Sequence, residues 1–128
     1  VKLPLRIGDK LLKKKYPDAK ISFIKLDIEG FEYFALKGLE GTIKAHKPFI
    51  AFESNESAGA YGGQAIIDYL GTLGYENFYA LERVKKMEPK VIRSIKAAVF
   101  GKTYEFKSVN KLIDKEYSLI LATQRSLG

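Results

Sequence analysis

Two nearly continuous apolar runs flanking one amphipathic segment constrain this chain more than any other feature. Residues 21–28 are apolar except for Ser22, Lys25 and Asp27, and residues 49–53 are apolar up to Glu53. Between them, Ala35, Leu36, Leu39 and Ile43 recur at helical spacing, with Lys37, Glu40 and Lys44 on the opposite face. Short, almost unbroken apolar runs predict strands buried on both faces, as in a parallel sheet covered by helices. A strand over 21–28, a helix over 32–45 and a strand over 49–53 form a βαβ unit. The expected fold class is α/β. Gly38 and Gly41 each disfavour the helix by about 1 kcal/mol relative to Ala, so close approach of helix to sheet is the expected compensation.

The remaining segments extend this pattern. Asp9 is placed to cap a short helix through Leu11, Leu12 and Tyr16, which Pro17 stops. Lys47 and Pro48 end the long helix. A polar, glycine-rich loop over 54–63 precedes a helix carrying Ile66, Ile67, Tyr69, Leu70 and Leu73, with Gly74 as its C-cap. A third strand is expected over 75–81, an amphipathic helix over 91–99 and a last strand over 117–123. Phe23, Phe49, Phe52, Tyr69 and Phe78 sit at core spacings and read as packing rather than as a base-stacking platform.

Composition narrows the chemistry. The 128 residues hold no Cys, which excludes a disulfide scaffold, a thiolate zinc site and a thiol nucleophile. The single His46, at a helix end, gives little support to Ser-His schemes and reads as a surface residue. A chain of this length supports one core. No apolar run approaches the length of a membrane span, and the first residues carry no apolar signal core, so a cytoplasmic single domain is expected. The net charge of +7 favours acidic partners without choosing among them. Lys13, Lys14 and Lys15 form one basic run, and Arg83, Lys85, Lys86, Lys90, Arg93 and Lys96 a looser one; the default for both is solvated surface.

Ligands of open parallel sheets bind beyond the carboxyl ends of the strands. The first strand delivers Asp27 and Glu29 to that edge, and the second delivers Glu53, with Asn55 and Glu56 just beyond. Strands about 4.8 Å apart bring such groups into one small region, suited to general-base work or to a hard cation. Glu29 and Glu32 read equally well as caps of the following helix. The loop over 59–63 lacks the Lys-Ser/Thr ending of a P-loop and the spacing of a dinucleotide fingerprint.

The run Lys25-Leu26-Asp27-Ile28-Glu29-Gly30-Phe31-Glu32, followed by Leu36-Lys37-Gly38, resembles the signature of FkbM-family methyltransferases. The stretch from Lys47 to Glu53 is similar to that family's next strand, and Leu73-Gly74-Tyr75 to its usual helix end. The resemblance covers Asp9 to about Glu82 in order. It implies a Rossmann-like methyltransferase sheet, mostly parallel with an antiparallel last strand, of which this chain is the carboxyl-terminal half.

It further implies S-adenosylmethionine as methyl donor for the full-length protein, and a sugar, glycan or small-molecule hydroxyl as acceptor. In that scheme Asp27 faces the reacting hydroxyl, Glu53 assists across the cleft, and Glu29, Asn55 and Glu56 hold substrate; no metal is assigned, although Asp27, Glu53 and Asn55 would also make an oxygen site for one. The family's glycine-rich cofactor turn and acidic ribose-binding strand lie upstream of the matched region. The chain is therefore expected to be a fragment, the preferred explanation, with cofactor-binding residues upstream, or a relic that has lost cofactor binding; the isolated chain is expected to be inactive. The same order puts the 21–28 strand at mid-sheet, so the chain alone exposes that strand's edge and is expected to self-associate through it. The competing reading is a non-catalytic basic module for an anionic partner, nucleic acid or an envelope lipid or glycan, which rests on charge alone.

Overall fold

A computed structural model describes residues 6–54, 61–83, 104–109 and 117–127. The elements are α1 (Gly8–Lys15), β1 (Phe23–Leu26), α2 (Glu32–Gly38), α3 (Glu40–His46), β2 (Phe49–Ser54), α4 (Gly63–Thr72), β3 (Asn77–Arg83), β4 (Tyr104–Ser108) and β5 (Tyr117–Thr123). The expected amphipathic helix over 91–99 and most of the second basic cluster lie outside the described residues.

The α/β class holds, and the βαβ unit is present: β1 pairs parallel with β2, in the register Phe23↔Phe49 to Leu26↔Phe52. The expectation of a mostly parallel sheet does not hold. The order is β1-β2-β5-β3-β4, and β2–β5, β5–β3 and β3–β4 are all antiparallel. An apolar run records burial, not the direction of its neighbour, so it left this open. β4 went unread in the sequence: Tyr104 and Phe106 alternate with Glu105 and Lys107 over only five residues, and all five are exposed, so the alternation buries nothing.

The main core cluster lies on one face of the sheet, while Ala51 is buried on the other. Ile50, Phe52, Ile120 and Ala122 pack with Leu36, Ile43, Ile66 and Leu70 of the helices. Full burial of each large aliphatic or aromatic side chain stabilises by about 1.5–3 kcal/mol. On the alternate positions Phe23 and Phe49 are 55% and 45% exposed, so these two are not the core residues their spacing suggested. A register shift between β2 and β5 near Ser54 turns Tyr117 back toward the core.

The expected single helix over 32–45 is two helices, broken at Leu39. Asp9 supplies the reason. Its carboxylate does not cap its own helix; it accepts the backbone N–H groups of Gly41, at 2.8 Å, and of Thr42. Those donors would otherwise bond back to Lys37 and Gly38, so a carboxylate on α1 caps α3 from outside. The two glycines serve the same contact. A Cβ on Gly41 would lie 2.8 Å from an Asp9 oxygen, and one on Gly38 would lie 3.5 Å from the Gly8 nitrogen. The close approach is to α1, not to the sheet.

Three further ties fix the layers. His46 is half-buried, and its Nδ1 accepts the Ile21 N–H at 3.1 Å, joining the end of α3 to the entrance of β1. Lys47 adopts φ 51 and its N–H bonds Ile43, closing α3 before Pro48. Gly74, at φ 86, ends α4 as expected: its N–H bonds the Gly71 carbonyl while Tyr75 N–H reaches Leu70, a Schellman pair.

Candidate active site

The carboxyl edge of the parallel pair is built by one turn. After Leu26, residues 27–31 reverse the chain, with Glu29 at φ 53 and Gly30 at φ 93. Gly30 meets that geometry without penalty, whereas Glu29 is a non-glycine residue in the left-handed region, a position of local strain. Glu32 stabilises the turn. It is 5% exposed and its Oε1 accepts the Ile28 N–H at 2.9 Å. Of the two cap candidates, Glu32 thus closes the turn in front of α2. Glu29 stays exposed, and α2 has no side-chain N-cap bond.

Asp27 is exposed at the head of this turn, and Lys25 Nζ lies 3.0 Å from its Oδ2. The two alternate with buried Leu26, so they share the strand face away from the core. The pair is solvent-facing, which makes it a means of orienting the Asp27 carboxylate more than a source of stability. Glu53 is likewise exposed, between buried Phe52 and Ser54. The paired register ends at Leu26↔Phe52, and Asp27 and Glu53 are the next residues along each chain at that edge. Both carboxylates are exposed at the carboxyl edge of the parallel pair. Asn55 and Glu56 lie outside the described residues, as does most of the glycine-rich loop.

Lys25 was missed as a member of this group, although the period of two between positions 25 and 27 is legible in the sequence. Among the described residues, no group of three or more His, Asp or Glu side chains is placed to hold a metal ion. Lys13, Lys14 and Lys15 occupy the last turn of α1, where cations complement the helix dipole. That gives the first basic run a local structural role. No helix among the described residues is long and apolar enough to cross a membrane.

Behind the edge, a groove of about 560 Å³ runs between α2–α3 and α4. Tyr61 stands at its mouth, 5.2 Å from Tyr33 and 4.8 Å from Phe34 between ring centroids. Further in, Lys37 Nζ sits 4.1 Å above the Tyr69 ring, a cation–π contact. The Tyr69 hydroxyl donates to Glu40 Oε2 at 2.8 Å, and Lys44 bonds the other Glu40 oxygen. Burial, and then the neighbouring Glu40 carboxylate, push the Tyr69 phenol well above its usual range. Nothing in the sequence announced this cluster.

The model of the methyltransferase FkbM domain matches residues 4–77, more than half of the chain. The match includes β1, the 27–31 turn, β2 and α4. No curated protein and no solved structure matches the chain.

Proposed function

The chain belongs to the FkbM methyltransferase family, and from that membership we propose that it supplies the acceptor side of an S-adenosylmethionine-dependent O-methyltransferase. The acceptor is a hydroxyl of a sugar, glycan or related metabolite. The reading rests on Asp27, in the turn that follows β1, and Glu53, near the end of its parallel neighbour β2, both exposed at the carboxyl edge within the matched segment.

S-adenosylmethionine supplies an electrophilic methyl group. The described residues do not fit that donor by themselves. The 27–31 turn carries a single glycine, Gly30, and so offers no glycine-rich cradle for the donor's methionine moiety. On this reading the chain's own residues handle the acceptor. Asp27 takes the proton from the attacking hydroxyl, since an alcohol oxygen must lose its proton as it gains a methyl group. Lys25 holds the Asp27 carboxylate in one orientation. Glu53 and Glu29 accept hydrogen bonds from neighbouring hydroxyls and set the reacting oxygen in line, the positioning that lowers such barriers most.

Transfer of a labelled methyl group from S-adenosylmethionine to neutral oligosaccharides, measured with the chain in its natural polypeptide, tests this. Label on an acceptor oxygen is the expected result. Label found only on nitrogen or carboxylate acceptors would refute the hydroxyl assignment.

A further inference from the structure

We propose that the groove between α2–α3 and α4 is a subsite for a neutral carbohydrate, holding units of the acceptor beyond the one that reacts. The proposal rests on the hydroxyl-acceptor reading and extends it to named residues outside the carboxylate edge.

Position supports it first. Tyr33 lies in the first turn of α2, directly after the turn that bears Asp27 and Glu29, and Tyr61 immediately precedes α4. One end of the groove therefore lies at the same carboxyl edge, on the helix-covered face of the sheet while Asp27 and Glu53 stand on the other, so an acceptor that spans both turns around that edge. Exposure supports it next. Phe34 and Tyr61 are 50% and 47% exposed although their rings touch, so their mutual packing leaves an open aromatic surface. Large aromatic rings left half in water beside a groove are more often binding surfaces than core.

Charge then selects the ligand. The groove is lined by two lysines, Lys37 and Lys44, and two carboxylates, Glu40 and Asp68. That balance gives no net attraction for a phosphate chain, whose oxygens would meet Glu40 and Asp68. A purely apolar ligand would strip water from the Glu40–Lys44 pair without replacing it. A pyranose ring answers both demands, because its C–H face packs on an aromatic plane while its hydroxyls donate to carboxylates and accept from ammonium groups. A volume of about 560 Å³ accommodates a short oligosaccharide rather than a single small polar molecule.

Amide shifts report on the groove residue by residue. The isotope-labelled chain is titrated separately with cellotetraose, mannotetraose and chitotetraose, and with glucose 6-phosphate as an anionic control. Saturable shifts at Tyr33, Lys37 and Tyr61 with at least one tetrasaccharide are expected. Tyr61→Ala and Phe34→Ala should each weaken binding about tenfold or more with unchanged circular dichroism.

Silence with all three tetrasaccharides, binding of the phosphate alone, or binding indifferent to both aromatic variants overturns the proposal. Oligosaccharide binding at the groove in a protein that transfers no methyl group to hydroxyls overturns the acceptor reading and leaves the groove standing. Methyl transfer to an oligosaccharide that ignores both aromatic variants does the reverse.

Discussion

One carboxylate oxygen of Asp9 accepts both the backbone N–H and the hydroxyl of Thr42, at 2.9 and 2.7 Å. The two residues are 33 positions apart, and their contact ends one helix and begins another. Burial alone would push the Asp9 carboxyl upward, but the hydrogen bonds from the Thr42 hydroxyl and from the Thr42 and Gly41 N–H groups outweigh it. They hold Asp9 below the usual carboxylate value.

Asp9→Ala should therefore lower stability by about 1–2 kcal/mol near neutral pH, the range of a lost N-cap. A depressed folded value means that the unfolded chain binds its proton first as pH falls. The contribution is complete above roughly pH 4–5 and is lost as pH drops through the folded value. Urea unfolding of both proteins across this range should show the gap closing in acid. A gap that is absent at neutral pH would remove the capping role.

Gly41→Ala is expected to behave differently in the two backgrounds. Alanine favours a helix over glycine by about 1 kcal/mol, but its Cβ would stand 2.8 Å from the Asp9 oxygen. In the parent chain the substitution should bring no gain or a loss, and in Asp9→Ala it should stabilise. Additive effects in this double-mutant cycle would mean that the two sites do not communicate.

For catalysis, Asp27→Asn should reduce turnover about 10²–10⁴-fold, the range of a general base. Its effect on stability should stay below about 1 kcal/mol, because Asp27 is exposed and its ion pair with Lys25 is a surface pair. Comparing kcat with the denaturation midpoint separates the roles. Equal turnover in the variant would leave Asp27 a turn residue only.

Tyr75 offers an alkaline counterpart to Asp9. Its ring is 1% exposed and its hydroxyl donates to the Pro48 carbonyl at 2.6 Å; burial pushes the phenol up to about 12. A raised value means stability that is full below about pH 10 and is lost as pH rises toward the folded value. Tyr75→Phe should destabilise by about 1–3 kcal/mol, since the buried Pro48 carbonyl loses this donor. It should also flatten the alkaline fall in stability, followed by phenolate absorbance. An unchanged alkaline profile would count against this assignment.

At the other edge, β1 is the outermost strand of the sheet beside β2, and Phe23 and Phe49 extend an exposed apolar strip across both. An apolar edge of this kind templates pairing with another chain. The 128-residue chain should show concentration-dependent light scattering that Phe23→Lys reduces. A monodisperse monomer at high concentration would contradict this.

The candidate site was legible to the extent that it depends on strand ends. Asp27 and Glu53 follow apolar runs, and a strand that ends at a turn must deliver its last polar residue to the edge. Lys25 was legible in principle by the same alternation. The Tyr33–Tyr61 and Lys37–Tyr69 contacts were not, because they join a helix to a segment that approaches it only after the chain has folded back through β2.

By itself the sequence determined the α/β class, the βαβ unit, the last strand over 117–123 and the glycine stop at Gly74. These rest on local quantities: the period of apolar residues, and the freedom of glycine at positive φ. Tertiary structure alone decided that β5 lies between β2 and β3 and that β4 forms at all, since an exposed strand such as β4 is defined by its neighbour's unpaired backbone. It also decided that the helix over 32–45 breaks at Leu39. Local propensity favours one helix there, and it is overruled by a carboxylate that arrives from α1, a partner whose distance in the chain no local pattern records.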